Sequence, residues 1–221
     1  MTFLCLLMYG VQVALSGDFI SGAPPREIDP LFFLKLGAVH PFVPTDQYWR
    51  LFTYTLLHGG VMHIGFNLMA LYQIGPLIEK SFGPARVLFF WVVSGALAVS
   101  LPALIQGGMR PTIGASGSVF GLIGVAMAYG HRIKTAHGLF IRNKMIEWTI
   151  ICTLFGMMMG GVAHSAHFGG LIAGIGLSYL CPPPNTPSLK RLSPFMALTA
   201  LAMMGWSLYM VSMSIYEHYM A

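Results

Sequence analysis

The sequence predicts an all-α polytopic membrane protein, and its composition and apolar segments support that fold class. Of its 221 residues, 56% are hydrophobic and only 9% are charged, whereas a soluble domain carries about 25% charged residues. The mean hydropathy is +0.70. Seven segments approach the roughly 20 apolar residues that a helix needs to cross a bilayer. These segments cover residues 1–20, 60–79, 85–105, 114–131, 145–163, 165–181 and 194–216.

The segments follow one another with short connections, so the chain length predicts one bundle rather than several domains. The first segment lacks the basic residues that precede the apolar run of a signal peptide, so we interpret it as a span. The fifth and sixth segments are joined by very little chain and predict a tight helical hairpin. Prolines at 182–184 and Pro187 predict a stiff connector over residues 182–193, before a last helix over 194–221.

One long loop, at about residues 21–59, joins the first two segments. It mixes prolines and glycines with apolar stretches such as Leu31–Leu34, which predicts a structured loop at the membrane interface. Trp49 and Arg50 lie near its end, where they fit an interfacial anchor as well as a functional role.

The basic residues predict the direction in which the helices cross the membrane, because cytoplasmic loops carry an excess of lysine and arginine. With a cytoplasmic amino terminus, eight of the twelve basic residues fall in inside loops. We therefore expect the N-terminus inside and the C-terminus outside. Compactness and the absence of a transit peptide favour a bacterial cytoplasmic (inner) membrane. The eight residues are Lys80, Arg86, Arg132, Lys134, Arg142, Lys144, Lys190 and Arg191.

Charge and cysteine content argue against two other classes of protein. The net charge of +5 is scattered over short loops and forms no continuous patch, so we expect no nucleic-acid partner. Cys5, Cys152 and Cys181 are odd in number and scattered, which fits neither a disulfide framework nor a metal motif. We expect no metal and no cofactor.

Four polar residues fall at similar depth in three segments that cross the membrane in the same direction. They are His63 and Asn67 early in the second segment, Ser116 early in the fourth, and His167 early in the sixth. Polar groups inside a bilayer are costly and are therefore usually functional. Each alone has a simpler explanation: serine bonds its own helix, histidine is a satisfied core residue, and asparagine joins helices. Their shared depth favours a common site.

Small residues predict that the fourth and sixth segments pack closely. Gly117, Gly121 and Gly124 give the fourth a glycine surface, and Gly170 and Gly174 form a GxxxG pattern in the sixth. Such surfaces let two backbones approach in lipid. Ser116 Oγ is then expected to reach His167.

This arrangement favours nucleophilic catalysis by a Ser–His dyad. His167 is a suitable base for the Ser116 hydroxyl, which is a weak nucleophile without one. The backbone N–H groups at a helix start, with His63 and Asn67 on one face of the neighbouring helix, are suitable oxyanion donors. A triad is not expected, because all seven acidic residues fall in loops or near span ends. They are Asp18, Glu27, Asp29, Asp46, Glu79, Glu147 and Glu217.

Five short motifs together resemble the rhomboid family of intramembrane serine proteases, over about residues 45–181. The motifs are Gly114-Ala115-Ser116-Gly117, His63-Ile64-Gly65-Phe66-Asn67, the upstream His58, Ala166-His167-Phe168-Gly169-Gly170, and Trp49-Arg50.

The resemblance implies a six-helix bundle, here residues 1–181, with one additional C-terminal transmembrane helix. It implies that Ser116 is the nucleophile and His167 the general base, with the Ser116 N–H, His63 and Asn67 in the oxyanion hole. It also places Trp49-Arg50 in a structural loop. Many bacterial members have a tyrosine where this chain has Phe120, so stacking on His167 is retained without the hydroxyl.

The resemblance implies an endopeptidase that cleaves transmembrane segments of client proteins within the lipid bilayer. The main alternative is a catalytically silent rhomboid-like protein that only binds membrane clients. A metal protein, an aspartyl intramembrane protease and a transporter fit less well, because the chain lacks His-Glu-x-x-His, paired membrane aspartates and a clear repeat. His164 has no assigned chemistry.

Overall fold

The computed structural model describes residues 1–16, 30–40, 46–103, 111–159, 162–181 and 187–219. In these ranges the chain is helical and has no β-strand; an isolated bridge pairs Val39 with Thr112. The helices are α1 (Thr2–Ser16), α2 (Pro30–Lys35), α3 (Arg50–Thr53, continued by a 3-10 turn, Tyr54–Leu56), α4 (Val61–Phe82), α5 (Pro84–Ala103), α6 (Ser116–Arg132), α7 (Ala136–Met159), α8 (His164–Leu180) and α9 (Pro187–Tyr219).

Each of the seven longer helices overlaps one predicted span, but two helices begin earlier than expected. α7 begins at Ala136 rather than 145, because Thr135 Oγ1 accepts a hydrogen bond from the Gly138 N–H at 3.1 Å and caps the helix. Its first turns are polar, so hydropathy did not reveal them.

α9 also begins earlier than predicted, at Pro187 rather than 194, and Pro194 lies inside the helix. Proline is well suited to the first helical position, where its missing N–H has no partner to lose. The predicted connector over 182–193 therefore differs from the structure in residues 187–193, which are helical, and residues 182–186 lie outside the described residues. The predicted outer loop is described only in residues 30–40 and 46–59.

Length and composition identify two of the described helices as able to cross a membrane, Val61–Phe82 and Arg191–Tyr219. Thr2–Ser16 and Pro84–Ser100 are shorter apolar helices. The layout of seven spans therefore stays a prediction.

α6 is the central helix, buried on almost every side by α5, α7 and α8. Glycines set its distance from α8, since a Cβ at Gly170 would meet the Gly117 carbonyl oxygen and one at Gly174 would meet the Gly121 oxygen. The two backbones are thus in direct contact, as small-residue surfaces allow.

α9 packs against α5 and against the segment that carries α2 and α3. Two of its serine hydroxyls donate to backbone carbonyls of that segment: Ser207 to Trp49 at 3.0 Å and Ser214 to Lys35 at 2.7 Å. The last helix therefore holds the segment between α1 and α4.

Candidate active site

A cavity of about 750 Å³ lies at the end of the bundle where α6 begins. Five of the described helices contribute to its wall: α2, α4, α6, α7 and α8. The polar side chains on the wall include His63, Asn67, Ser116 and His167, and the apolar ones include Phe66, Trp148, Ile151, Phe155 and Val162. The four polar residues predicted to share a site thus line one cavity.

Ser116 is the first residue of α6 and follows a turn that only glycine fits well. Gly114 has φ +114°, a backbone conformation that disfavours side chains, and its N–H donates to the Tyr54 carbonyl oxygen at 2.9 Å. Ala115 precedes the helix and makes no side-chain cap. The first N–H groups of α6 therefore have no capping side chain beside the Ser116 hydroxyl.

His63 lies directly over this turn, and its hydrogen bond defines its tautomer. The Gly59 N–H donates to His63 Nδ1 at 3.2 Å, so Nδ1 is an acceptor. A neutral imidazole then carries its proton on Nε2. A Cβ at Gly114 would lie 2.6 Å from that Nε2. His63 therefore presents an N–H donor at the turn that carries Ser116.

His167 is held by aromatic stacking in the first turn of α8. Its ring stacks on Phe120 with centroids 4.3 Å apart and an interplanar angle of 14°. The side chain is buried, and no protein atom in the described part of the chain hydrogen-bonds to its Nδ1. No hydrogen bond joins Ser116 Oγ to His167 among those described, which is common before a substrate closes the site.

His164, one turn earlier, lies edge-on to His167 at 5.8 Å between ring centroids. Its Nδ1 is also buried and has no protein partner among the described residues. It does not line the cavity.

Asn67 and His58 support the His63 side of the site. Asn67 Nδ2 donates to the His63 carbonyl oxygen at 2.9 Å and leaves its second N–H for the cavity. His58 is fully buried, with its ring edge-on to His63 at 5.2 Å. The His58 backbone forms two hydrogen bonds of 3.0 Å with the amide of Gln12 on α1.

Trp49 and Arg50 do not line the cavity but fix the preceding segment. Arg50 donates to Gln47 Oε1 at 2.6 Å and to the carbonyl oxygens of Leu34 at 2.5 Å and Ala38 at 3.2 Å. Its guanidinium also lies 4.5 Å from the Trp49 ring. Burial lowers the pKa of Arg50 to about 10, so it stays charged near neutral pH.

Two residues at the site were not predicted from the sequence, Tyr54 and Gln12. The Tyr54 hydroxyl donates to the Gly95 carbonyl oxygen at 2.7 Å and would lie 2.8 Å from a Cβ at Gly117. With its own carbonyl bound to Gly114, Tyr54 contacts both ends of the turn around Ser116. A single sequence does not indicate the role of a tyrosine or glutamine that belongs to no motif.

In the described ranges, no group of three histidine, cysteine or acidic side chains is placed to hold a metal ion. The site is instead a serine, two histidines and an asparagine on a largely apolar wall. A helical bundle with such a cavity belongs to the class of membrane proteins that keep a polar site among apolar helices.

The family model of the Rhomboid domain matches residues 45–184, which is more than half of the chain. This chain therefore belongs to the rhomboid family, and the family predicted from the motifs is confirmed. Together with its apolar helices, this membership makes it an integral membrane protein.

Two similar proteins have names that place them in the same family. The chain is 30% identical over 161 residues to Rhomboid protease GluP of Bacillus subtilis (strain 168), which is 72% of this chain and 31% of that protein. It is 32% identical over 152 residues to RHOMBOID-like protein 5 of Arabidopsis thaliana, which is 66% of this chain and 48% of that protein. The match thus spans about a third of one relative and about half of the other.

Proposed function

We propose that this protein is an intramembrane serine endopeptidase that cleaves transmembrane segments of client proteins with a Ser116–His167 dyad. One observation carries the proposal. Ser116, His167, His63 and Asn67, from three helices, line the same cavity at the start of α6. Asn67 and His167 are buried, while His63 and Ser116 are half-buried. Polar groups that converge in this way among apolar helices are expected at a site where charge develops during a reaction.

In the proposed reaction, Ser116 Oγ attacks the scissile carbonyl carbon as its proton passes to His167. The resulting oxyanion accepts hydrogen bonds from the Ser116 N–H, His63 Nε2–H and Asn67 Nδ2–H. Each such donor contributes roughly 3–4 kcal/mol of transition-state stabilisation. His167 then gives its proton to the leaving amine, and water hydrolyses the acyl-enzyme with His167 again as the base.

The apolar wall suits a client that arrives from the lipid. α4 and α7 flank the cavity without packing closely along their length, and the Phe66 and Phe155 rings, 3.9 Å apart, lie across the gap. We propose that a client segment enters between these helices. Its helix must unwind before a backbone carbonyl can reach Ser116, because helical carbonyls are already hydrogen-bonded.

The proposed membrane layout has six core helices and α9 as the additional one. The amino terminus lies in the cytoplasm, the cavity opens on the other side, and the membrane is a bacterial cytoplasmic (inner) membrane. The distribution of basic residues between loops supports this direction.

Labelling with a fluorophosphonate probe tests whether Ser116 is an activated serine. The detergent-purified protein is expected to be labelled, while Ser116→Ala and His167→Ala are not. A folded wild-type protein that stays unlabelled beside a working control protease would contradict the dyad. The alternative is then a catalytically silent rhomboid-like protein that binds membrane clients.

A further inference from the structure

A second, smaller cavity of about 270 Å³ lies where α2, α3 and the end of α9 meet. Three basic side chains from these three helices line it: Lys35, Arg50 and His218. Leu31 and Leu34 form the rest of its wall. This cavity shares no lining residue with the one that contains Ser116.

The basic groups at this cavity have no acidic partner in the described part of the chain. The described residues contain one ion pair, Lys144–Glu147, and neither of its members lines this cavity. Lys35 instead lies over the Tyr219 ring, with Nζ 5.4 Å from the centroid. The Nε and one terminal nitrogen of Arg50 donate hydrogen bonds to uncharged oxygens. Its other terminal nitrogen can therefore donate to a ligand.

The position of the cavity limits what can occupy it. Ser214 on α9 donates to the Lys35 carbonyl, so the C-terminal part of α9 and the end of α2 are joined by a hydrogen bond. His218 lies one residue before the end of a long apolar helix, where a membrane helix meets the headgroup region. A ligand here is lined by basic side chains and by two leucines.

We propose that this cavity binds the phosphate of an anionic phospholipid headgroup, with Lys35 and Arg50 as its donors. His218 lines the same cavity, and its Nδ1 bonds to the Ser214 carbonyl oxygen at 2.8 Å. Basic side chains with no carboxylate lining the cavity among the described residues disfavour the trimethylammonium group of phosphatidylcholine and favour a net negative headgroup. We expect Leu31 and Leu34, which also line the cavity, to contact the glycerol and the start of an acyl chain. The burial that lowers the pKa of Arg50 also indicates a cation that an anion would stabilise. A soluble phosphate ester shares the charge but not the acyl chain.

The test is native mass spectrometry of the delipidated full chain, titrated with phosphatidylglycerol or phosphatidylcholine. We expect one tightly bound phosphatidylglycerol and much weaker binding of phosphatidylcholine. In the double variant Lys35→Gln/His218→Gln, affinity for this lipid is expected to fall at least about fivefold, since a lysine near a membrane surface contributes about 1 kcal/mol. Lys35→Arg/His218→Lys keeps a basic side chain at both positions and is expected to retain the lipid.

The matched control is Lys80→Gln/His131→Gln, which changes the same residue types at exposed positions in the last turns of α4 and α6, at the opposite end of the bundle. Equal lipid loss in control and test variants would overturn the site, as would equal binding of the two lipids. Glycerol 3-phosphate is titrated as a soluble competitor. If it displaces the lipid at equal concentration, the cavity binds a free phosphate ester and the lipid assignment is wrong. Matching melting curves of the lipid-free variants show that the folds are intact.

Discussion

Gly114 lies directly beneath the imidazole of His63, with no room between them for a methyl group. A Cβ at Gly114 would come within 2.6 Å of His63 Nε2 and 2.8 Å of Cε1. The proposed oxyanion donor and the turn that presents Ser116 are thus in mutual contact. The position of each depends on the other.

Gly114→Ala is therefore expected to reduce fluorophosphonate labelling at least a hundredfold, because the added methyl displaces His63 and strains the turn. The positive φ adds about 1–3 kcal/mol of backbone strain. Gly83→Ala is the matched control, since Gly83 also has a positive φ (+79°) but nothing within 4 Å of a Cβ. Gly83→Ala is expected to lose about as much stability as Gly114→Ala but to be labelled by the fluorophosphonate at the wild-type level. Equal labelling of both variants would show that the His63 contact is unimportant.

The hydroxyl of Tyr54 is expected to position the turn around Ser116 from the α5 side. Tyr54→Phe removes the bond to the Gly95 carbonyl oxygen and should cost about 0.5–1.5 kcal/mol of stability. Labelling should slow severalfold, because the hydroxyl also lies beside Gly117. Tyr72→Phe changes a side chain that is 79% exposed and should alter neither quantity. Labelling at the wild-type rate in Tyr54→Phe would restrict this residue to packing.

The sequence predicted the seven longer helices and the four polar residues that line the cavity because both leave a visible pattern. Apolar runs of membrane length mark helices, and a serine, an asparagine or a histidine inside such a run stands out. Tyr54 and Gln12 could not be predicted, because their partners are backbone groups of Gly95 and His58, distant in the chain. The roles assigned to the four polar residues stay predictions.

The contact between α6 and α8 gives a third prediction. In Gly170→Ala, the new methyl meets the Gly117 carbonyl oxygen, and backbone cannot yield as a side chain does. The substitution should cost about 1–3 kcal/mol by overpacking and should abolish labelling, because it moves His167 away from Ser116. Gly176→Ala, on the same helix with nothing within 4 Å, should be neutral or stabilising. Thermal unfolding in detergent and probe labelling measure both effects. A Gly170→Ala protein as stable and active as wild type would rule out the tight contact.

Gln12 gives the last prediction, because it joins α1 to the site through the His58 backbone. Its side chain is 2% exposed, accepting from the His58 N–H and donating to the His58 carbonyl, both at 3.0 Å. Gln12→Leu keeps the size of the side chain but leaves these two buried groups without partners, at about 1–3 kcal/mol each. Because the His58 ring packs on His63, labelling should slow along with the loss of stability. Gln73→Leu makes the same change at an exposed position on α4 and should leave the melting temperature unchanged. If Gln12→Leu has the same melting temperature as Gln73→Leu, α1 does not hold His58 in place. The support for His63 must then come from the Gly59 hydrogen bond and the Gly114 turn alone.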